Sequence, residues 1–448
     1  MSERRSPRSS PAHARGRKST PAEEQLRALG TQAPELSKSL YGPIAHSRAV
    51  RTVRWGLLVV VLVLVVGLVS VQMLRSVPAP RFHSAVTATI RLPGTAPALP
   101  WPATGAATVS LLGGGSLGSS GQATAVPVAG LAKVMTAYVV LKDHPMAAGA
   151  DGATITVGPE AVAAYQAEKA DQESTIALAA GQTLTELQAM QGLLVASGND
   201  MAVLLAEFDA GGSAPFVTKM NAAAHSLGMT TSRFTDPSGL DTGTVSTPHD
   251  LVTLASAAMA LPAFGPIVAT TDVTLPGSGT FYNLDYDLGR GGIVGIKTGA
   301  SSAAGGCFLF AATGPVAGQT VTLVGAVLAQ RGTPQTGAAV DAAAKLVKAA
   351  FAALSPTPVV APGLMVGTVS TAWGASAPVG TSAGPTVMAA PGMTLPVRLV
   401  TATPPSSFPA GTRLGVLHVT VAGHPYVVVL RAMQGLSGPS LTWRLLHG

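Results

Sequence analysis

Cysteine is almost absent from this chain: its 448 residues include one, Cys307. That excludes an intrachain disulfide. Stability must come from ordinary apolar cores, which the roughly 370 residues after position 76 can supply as two domains. Set between Gly306 and Phe308 in an apolar run, Cys307 reads as a buried strand residue rather than a reactive thiol. The nine histidines are scattered and show no zinc-type spacing with cysteine, so neither a metal nor a cofactor is expected. Charge is scarce too, at 11% of residues, and unevenly placed. Eleven Lys/Arg and four Asp/Glu fall in the first 54 residues, leaving seventeen of each sign for the rest. The whole net charge of +7 therefore sits in an N-terminal arm. A pI near 9.7 can signal nucleic-acid binding, but a basic arm directly before an apolar segment is more simply a topology signal. No nucleic-acid partner is expected.

Next to the arm lies a run of twenty residues without a charge, Trp55 to Leu74, closed by Arg75. About twenty apolar residues span a bilayer core, and the run is longer than the apolar region of a cleavable signal peptide. It reads as a transmembrane signal anchor over 55–75. The positive-inside bias keeps residues 1–54 cytoplasmic and exports the rest. The arm is rich in Ser, Pro, Arg and Gly, too poor in large apolar residues to offset its ordering entropy, and is expected to be disordered.

Beyond the anchor, repeated prolines at 78, 80, 93, 97, 100 and 102 suggest a stiff linker over 76–100. A strand is expected at 107–112, with a Gly/Ser-rich turn after it that holds Ser119 and Ser120. Helical signals cover 131–141 and 185–207, the second opening on Thr185 and Gln188 at capping-box spacing. Strand patterns return at 292–297, 307–312 and 321–328, before a helix near 338–354. From 356 the texture becomes short Val-rich strands between turn residues, the mark of a small β-rich domain over 356–448.

Three short motifs punctuate the stretch 101–355. They are Ala129-Gly130-Leu131-Ala132-Lys133, Ser197-Gly198-Asn199 and Lys297-Thr298-Gly299, with 64 residues from Lys133 to Ser197 and 100 from Ser197 to Lys297. Residues three apart on a helix share a face, so a side chain at 130 would stand beside the Lys133 amine. Each tripeptide is common alone; their order, spacing and expected helix, helix-end and strand settings are jointly specific. The surrounding text is Pro127 to Tyr138, Leu227-Gly228-Met229 with Asp236 to Asp241, Ser246-Thr247 with Asp250-Leu251, and Gly295 to Gly299. Together these resemble the S11 D-alanyl-D-alanine carboxypeptidases, the low-molecular-weight penicillin-binding proteins, over about residues 100–355. The β-rich tail resembles that family's C-terminal domain through less specific motifs.

The resemblance implies an α/β (α+β) fold of the penicillin-binding transpeptidase type, shared with serine β-lactamases. A central antiparallel sheet would lie between helical layers, with a small C-terminal β domain and one N-terminal transmembrane helix. It implies action on peptidoglycan stem peptides ending in D-Ala-D-Ala, and recognition of β-lactams. Carried over by position, Lys133 is the general base, Ser197 a proton relay, Asn199 a substrate-amide ligand, and Lys297 with Thr298 and Gly299 the carboxylate-binding strand. The backbone N–H groups of residues 130 and 300 make the oxyanion hole.

Two positions depart from the pattern. Gly130 stands where the family carries the serine that becomes acylated, and Ala300 replaces a hydroxyl residue while keeping its N–H. Removing the nucleophile of a covalent catalyst costs on the order of 10⁶ in kcat. Ser119 and Ser120 have no evident route into the site. The reading is a membrane-anchored, catalytically impaired homologue that binds stem peptides, and β-lactams non-covalently. The alternative is an active carboxypeptidase using a substituted nucleophile; a β-lactamase is weaker, since it needs the same missing group. Glycine is acceptable near a helix N-terminus, so the fold itself does not argue for activity.

Overall fold

The computed structural model describes residues 48–421 and 424–447. Most of the basic arm, and with it the disorder expected there, lies outside the described residues. The chain forms two compact units, one made of its two ends and the other of Val77–Pro439.

In the first unit, helix α1 (Arg48–Leu74) contains a 24-residue stretch, Arg51–Leu74, of mean hydropathy 3.0. By length and composition it can cross a membrane. Its valines and leucines are exposed along the helix. A short helix, Leu441–His447, belongs to the same unit, and its Arg444 guanidinium donates to the Met73 carbonyl oxygen at 2.9 Å. A cation there meets the negative end of the α1 dipole and one of its free carbonyls.

The second unit is organised around a twelve-stranded antiparallel sheet. Strands β1 (Ala106–Leu111) and β2 (Ser116–Ser120) form a hairpin, so Ser119 and Ser120 lie in a strand and not in the expected turn. Strands β3 (Ile293–Ser301), β4 (Gly305–Val316) and β5 (Gln319–Gln330) form a meander, with β5 paired to β1 and β3 at the sheet edge. Along β4 the side chains alternate between two cores. Cys307, Leu309 and Ala311 enter one; Phe308, Phe310 and Ala312 enter the other. A strand covered on both faces reads as an unbroken apolar run, which is why residues 307–312 show no polar alternation.

The first core holds the helices. Helix α2 (Ala132–Asp143) is buried from Ala132 through Leu141, so it is apolar nearly all round and lies central to its layer. Around it stand α3 (Pro159–Ala170), α4 (Glu186–Leu194), α5 (Asn199–Ala210), α6 (Ser213–Ser226) and α7 (Pro248–Met259). The capping box at the start of α4 forms as expected: Gln188 N donates to Thr185 Oγ1 at 3.2 Å, and Thr185 N donates to Gln188 Oε1 at 2.9 Å. The helical run expected over 185–207 is, however, two helices. It breaks at Ser197, whose φ of 62° is left-handed and cannot continue a helix.

The second core packs α8 (Gln335–Ala353) through Ala339, Val340, Ala343, Leu346, Val347 and Ala350, an i, i+4, i+7 stripe. The same core continues through the C-terminal strands β6 (Thr394–Thr401), β7 (Arg413–Val421) and β8 (His424–Ala432). A break near 355 is therefore not where the unit divides: core and sheet both run across it. The sheet crosses through one register pair, Thr394 with Ser116. Nor is 76–100 a free spacer. Arg81–Ser84 pairs with Met365–Ser370, Thr89–Arg91 pairs with β6, and Ile90, Leu92 and Leu99 enter the second core. The prolines stand outside those short strands, where no ladder N–H is needed.

Candidate active site

Three elements converge on a cavity of about 400 Å³. The first is the start of α2. The chain enters it through Ala129, at φ 47°, and a 3-10 turn over Ala129–Leu131. Gly130 sits in that turn. A Cβ built there would meet Thr298 O at 3.5 Å, Lys133 Nζ at 3.6 Å and Gly299 Cα at 3.8 Å, all ordinary contacts. The position thus has room for a side chain directed at the lysine.

Lys133, in the first turn of α2, is 2% exposed, and its ammonium donates to Asn199 Oδ1 at 2.5 Å. Burial brings its pKa down to about 8; the carboxylates of Asp236, Glu168, Asp200 and Glu173 act in the opposite direction. Asn199 opens α5, and Ser197 stands in the bend before it. Asn199 N also donates to Ser174 O at 2.9 Å, which holds the bend against the loop after α3.

The third element is β3. Gly299 passes so near the α2 turn that a Cβ would lie 2.8 Å from Gly130 N, so only glycine allows this approach of strand to helix. Thr298, Gly299, Ala300 and Ser301 line the cavity. Lys297 does not. It is 3% exposed beneath the wall and donates to Thr298 O at 3.1 Å. Burial, and then Lys133, lower its pKa to about 7, against the pull of Asp285.

Of the eight residues singled out from sequence, seven line one cavity and Lys297 adjoins it. The motifs did not point to the further wall residues Glu173, Ser174, Ser238, Gly239, Leu240, Leu284 and Thr336. Ser238 and Gly239 lie in the segment Asp236 to Asp241, which matches the family's text but carries no task legible from sequence. Its task is visible in the hydrogen bonds. Asp236 Oδ2 accepts from the backbone N–H groups of Ser238, Gly239 and Leu240 and from the Ser238 hydroxyl, while Oδ1 accepts from the Thr244 hydroxyl. The loop so tied lies against Ala129, where a Cβ on Gly239 (φ 82°) would be 1.9 Å from the Ala129 carbonyl oxygen.

Asp200 makes a second clamp, accepting from Ile176 N with both oxygens at 3.1 and 2.9 Å. Burial raises the pKa of Asp200 to about 7, and burial together with Asp200 raises that of Glu168 to about 7. Cys307 is buried, with its thiol pushed up to about 11 by desolvation. Among the described residues no group of three or more His, Cys, Asp or Glu side chains is placed to hold a metal ion.

A buried lysine beside Gly130, a bend at Ser197 and an edge strand carrying Lys297, Thr298 and Gly299 stand together in a penicillin-binding transpeptidase-like fold. Residues 103–329 match the D-alanyl-D-alanine carboxypeptidase family, peptidase S11, and the chain belongs to it. It is 36% identical over 226 residues to the D-alanyl-D-alanine carboxypeptidase DacB2 of Mycobacterium tuberculosis, covering 49% of this chain and 73% of that one. To a D-alanyl-D-alanine carboxypeptidase of Streptomyces sp. strain K15 it is 33% identical over 219 residues, covering 45% and 72%. The crystal structure of a D-alanyl-D-alanine carboxypeptidase from M. tuberculosis superposes with a TM-score of 0.50 at 34% identity, over 58% of this chain and 96% of the other.

Proposed function

We propose that this chain is a membrane-anchored wall protein whose groove binds peptidoglycan stem peptides ending in D-Ala-D-Ala, and that it does not perform ordinary serine acyl transfer. The basic arm remains cytoplasmic, α1 spans the membrane, and Val77–Pro439 lies outside. The observation that carries the reading is the space at Gly130: room for a side chain beside Lys133, and no hydroxyl there from which the amine would take a proton. Lys133 with its lowered pKa suits a general base. Asn199 and the edge strand offer the hydrogen bonds a peptide end requires, and the N–H groups of residues 130 and 300 offer an oxyanion site. With the nucleophile absent, these groups bind. Penicillin is held without a covalent bond.

The test is intact mass of the full chain in detergent after incubation with a penicillin, beside Gly130→Ser. The expected result is no adduct on the natural protein and one adduct per chain on the variant. A stoichiometric adduct on the natural protein would place another nucleophile in the groove and establish the active alternative.

A further inference from the structure

Between the hairpin that ends at Tyr282 and the start of β3, the chain alternates sharply in exposure. Tyr282 is 73%, Leu284 39% and Tyr286 59% exposed, while Asp285 is 5% exposed and Asn283 is half-buried. Asn283 Nδ2 donates to Thr270 O at 3.0 Å, and its Oδ1 accepts from Asp285 N at 3.0 Å. Asp285 in turn accepts from Asp287 N at 3.1 Å, and its other oxygen is buried without a hydrogen-bond partner among the described residues. Burying a carboxylate oxygen unpaired is costly. Here that cost accompanies a segment pinned from below, with two tyrosines and a leucine presented outward. Neither tyrosine hydroxyl has a hydrogen-bond partner among the described residues. Leu284 also lines the groove, so this segment reaches the site between the two tyrosines.

We infer that Tyr282, Leu284 and Tyr286 form a binding surface for the sugar rings of the glycan strand to which a stem peptide is attached. The inference rests on the groove being a stem-peptide site. A cavity of about 400 Å³ has room for the free end of such a peptide, and Leu284 in its wall offers the remainder a path toward Tyr282 and Tyr286. Exposed tyrosines on a backbone pinned by Asn283 and Asp285 offer what a saccharide needs: a flat apolar face for the C–H side of the ring and a hydroxyl for its polar edge. No charged side chain among the three would favour a phosphate or lipid headgroup instead, and an exposed apolar patch at a groove mouth marks a contact site.

The experiment compares the full chain in detergent with the Tyr282→Ser/Tyr286→Ser double variant by calorimetric titration. The probes are a pentapeptide ending in D-Ala-D-Ala and the same pentapeptide carried on a disaccharide. The natural chain should bind the disaccharide form roughly tenfold more tightly, the scale of two modest aromatic contacts. The variant should lose that preference and keep its affinity for the bare peptide, which also shows that it is folded. Equal affinity of the natural chain for both probes, or a preference that survives in the variant, overturns the inference. So does self-association that the variant abolishes, which would assign the rim to a second copy of the chain. Binding of neither probe by the natural chain fails the groove reading itself, and this inference with it.

Discussion

The Lys133 ammonium donates to the Asn199 side-chain oxygen at 2.5 Å, joining the first turn of α2 to the first turn of α5. On the proposed reading this amine would serve a hydroxyl at position 130, where this chain has glycine. Here it is held by Asn199 and by the field of nearby carboxylates. Burial brings its pKa down to about 8 against the pull of those carboxylates, which leaves the amine poised to act as a base.

That poise has a pH signature. In Gly130→Ser, the rate of penicillin adduct formation at saturating ligand should rise with pH through about 8, as Lys133 loses its proton. Adding Lys133→Ala should lower the rate at least about 100-fold and flatten the profile. Stopped-time mass spectrometry from about pH 6 to about pH 9 reads both. A profile unchanged by Lys133→Ala would remove the lysine from the role of base.

Two glycines hold the three elements in contact, and alanine at either should be tolerated poorly. Gly239→Ala meets the Ala129 carbonyl at 1.9 Å and a left-handed φ of 82°. Gly299→Ala meets Gly130 N at 2.8 Å. Overpacking against backbone costs about 1–3 kcal/mol, and the left-handed backbone adds about 1–2 kcal/mol at position 239. Urea unfolding should rank Gly239→Ala below Gly299→Ala, with both below the natural chain. Two variants of unchanged stability would mean that the loop and strand can move apart freely.

Stability should dip near neutral pH. The carboxyls of Glu168 and Asp200 have folded pKa values raised to about 7, so from about pH 4 to 7 the folded state holds more protons than the unfolded one. Stability falls as pH rises through that window. Lys133 and Lys297 have folded values lowered to about 8 and 7. From about pH 7 to 10.5 the unfolded state holds more protons and stability recovers. Thermal melts at intervals from about pH 4.5 to about pH 10 should show the minimum, and Glu168→Gln/Asp200→Asn should flatten its acidic side. A steady rise over the acidic half of that range in the natural chain would contradict the placement of these acids.

Much of the fold was legible because its signals are local. The apolar run at 55–74, the capping box at Thr185 and Gln188, and the β-rich texture after 355 each depend on near neighbours in sequence. The three site motifs were legible because two stand at helix starts and the third lies within an edge strand. What escaped reading depends on distant partners. Arg81–Ser84 and Thr89–Arg91 looked like linker because their pairing strands lie some 280 or more residues later. The break at Ser197 had a local sign in Gly198, but a helical run drawn over 185–207 passed through it, and the contact that holds it, Asn199 N to Ser174 O, comes from another loop. Asp200 and Asp236 had no task legible from sequence, because each holds backbone donors brought to it by the fold. Lys297 was expected on the groove wall and lies beneath it, a difference of depth that periodicity along a strand does not record.

The second core has a consequence for how the chain can be cut. Leu346 and Phe310, from the region of the family match and the helix after it, share that core with Leu417 and Leu430 from the C-terminal strands. A protease that severed the chain near residue 355 and carried off the tail would not release a working fragment. It would bare the greasy side of α8 and of the sheet, and the remnant would clump rather than stay in solution. The tail is a lid on that part of the interior.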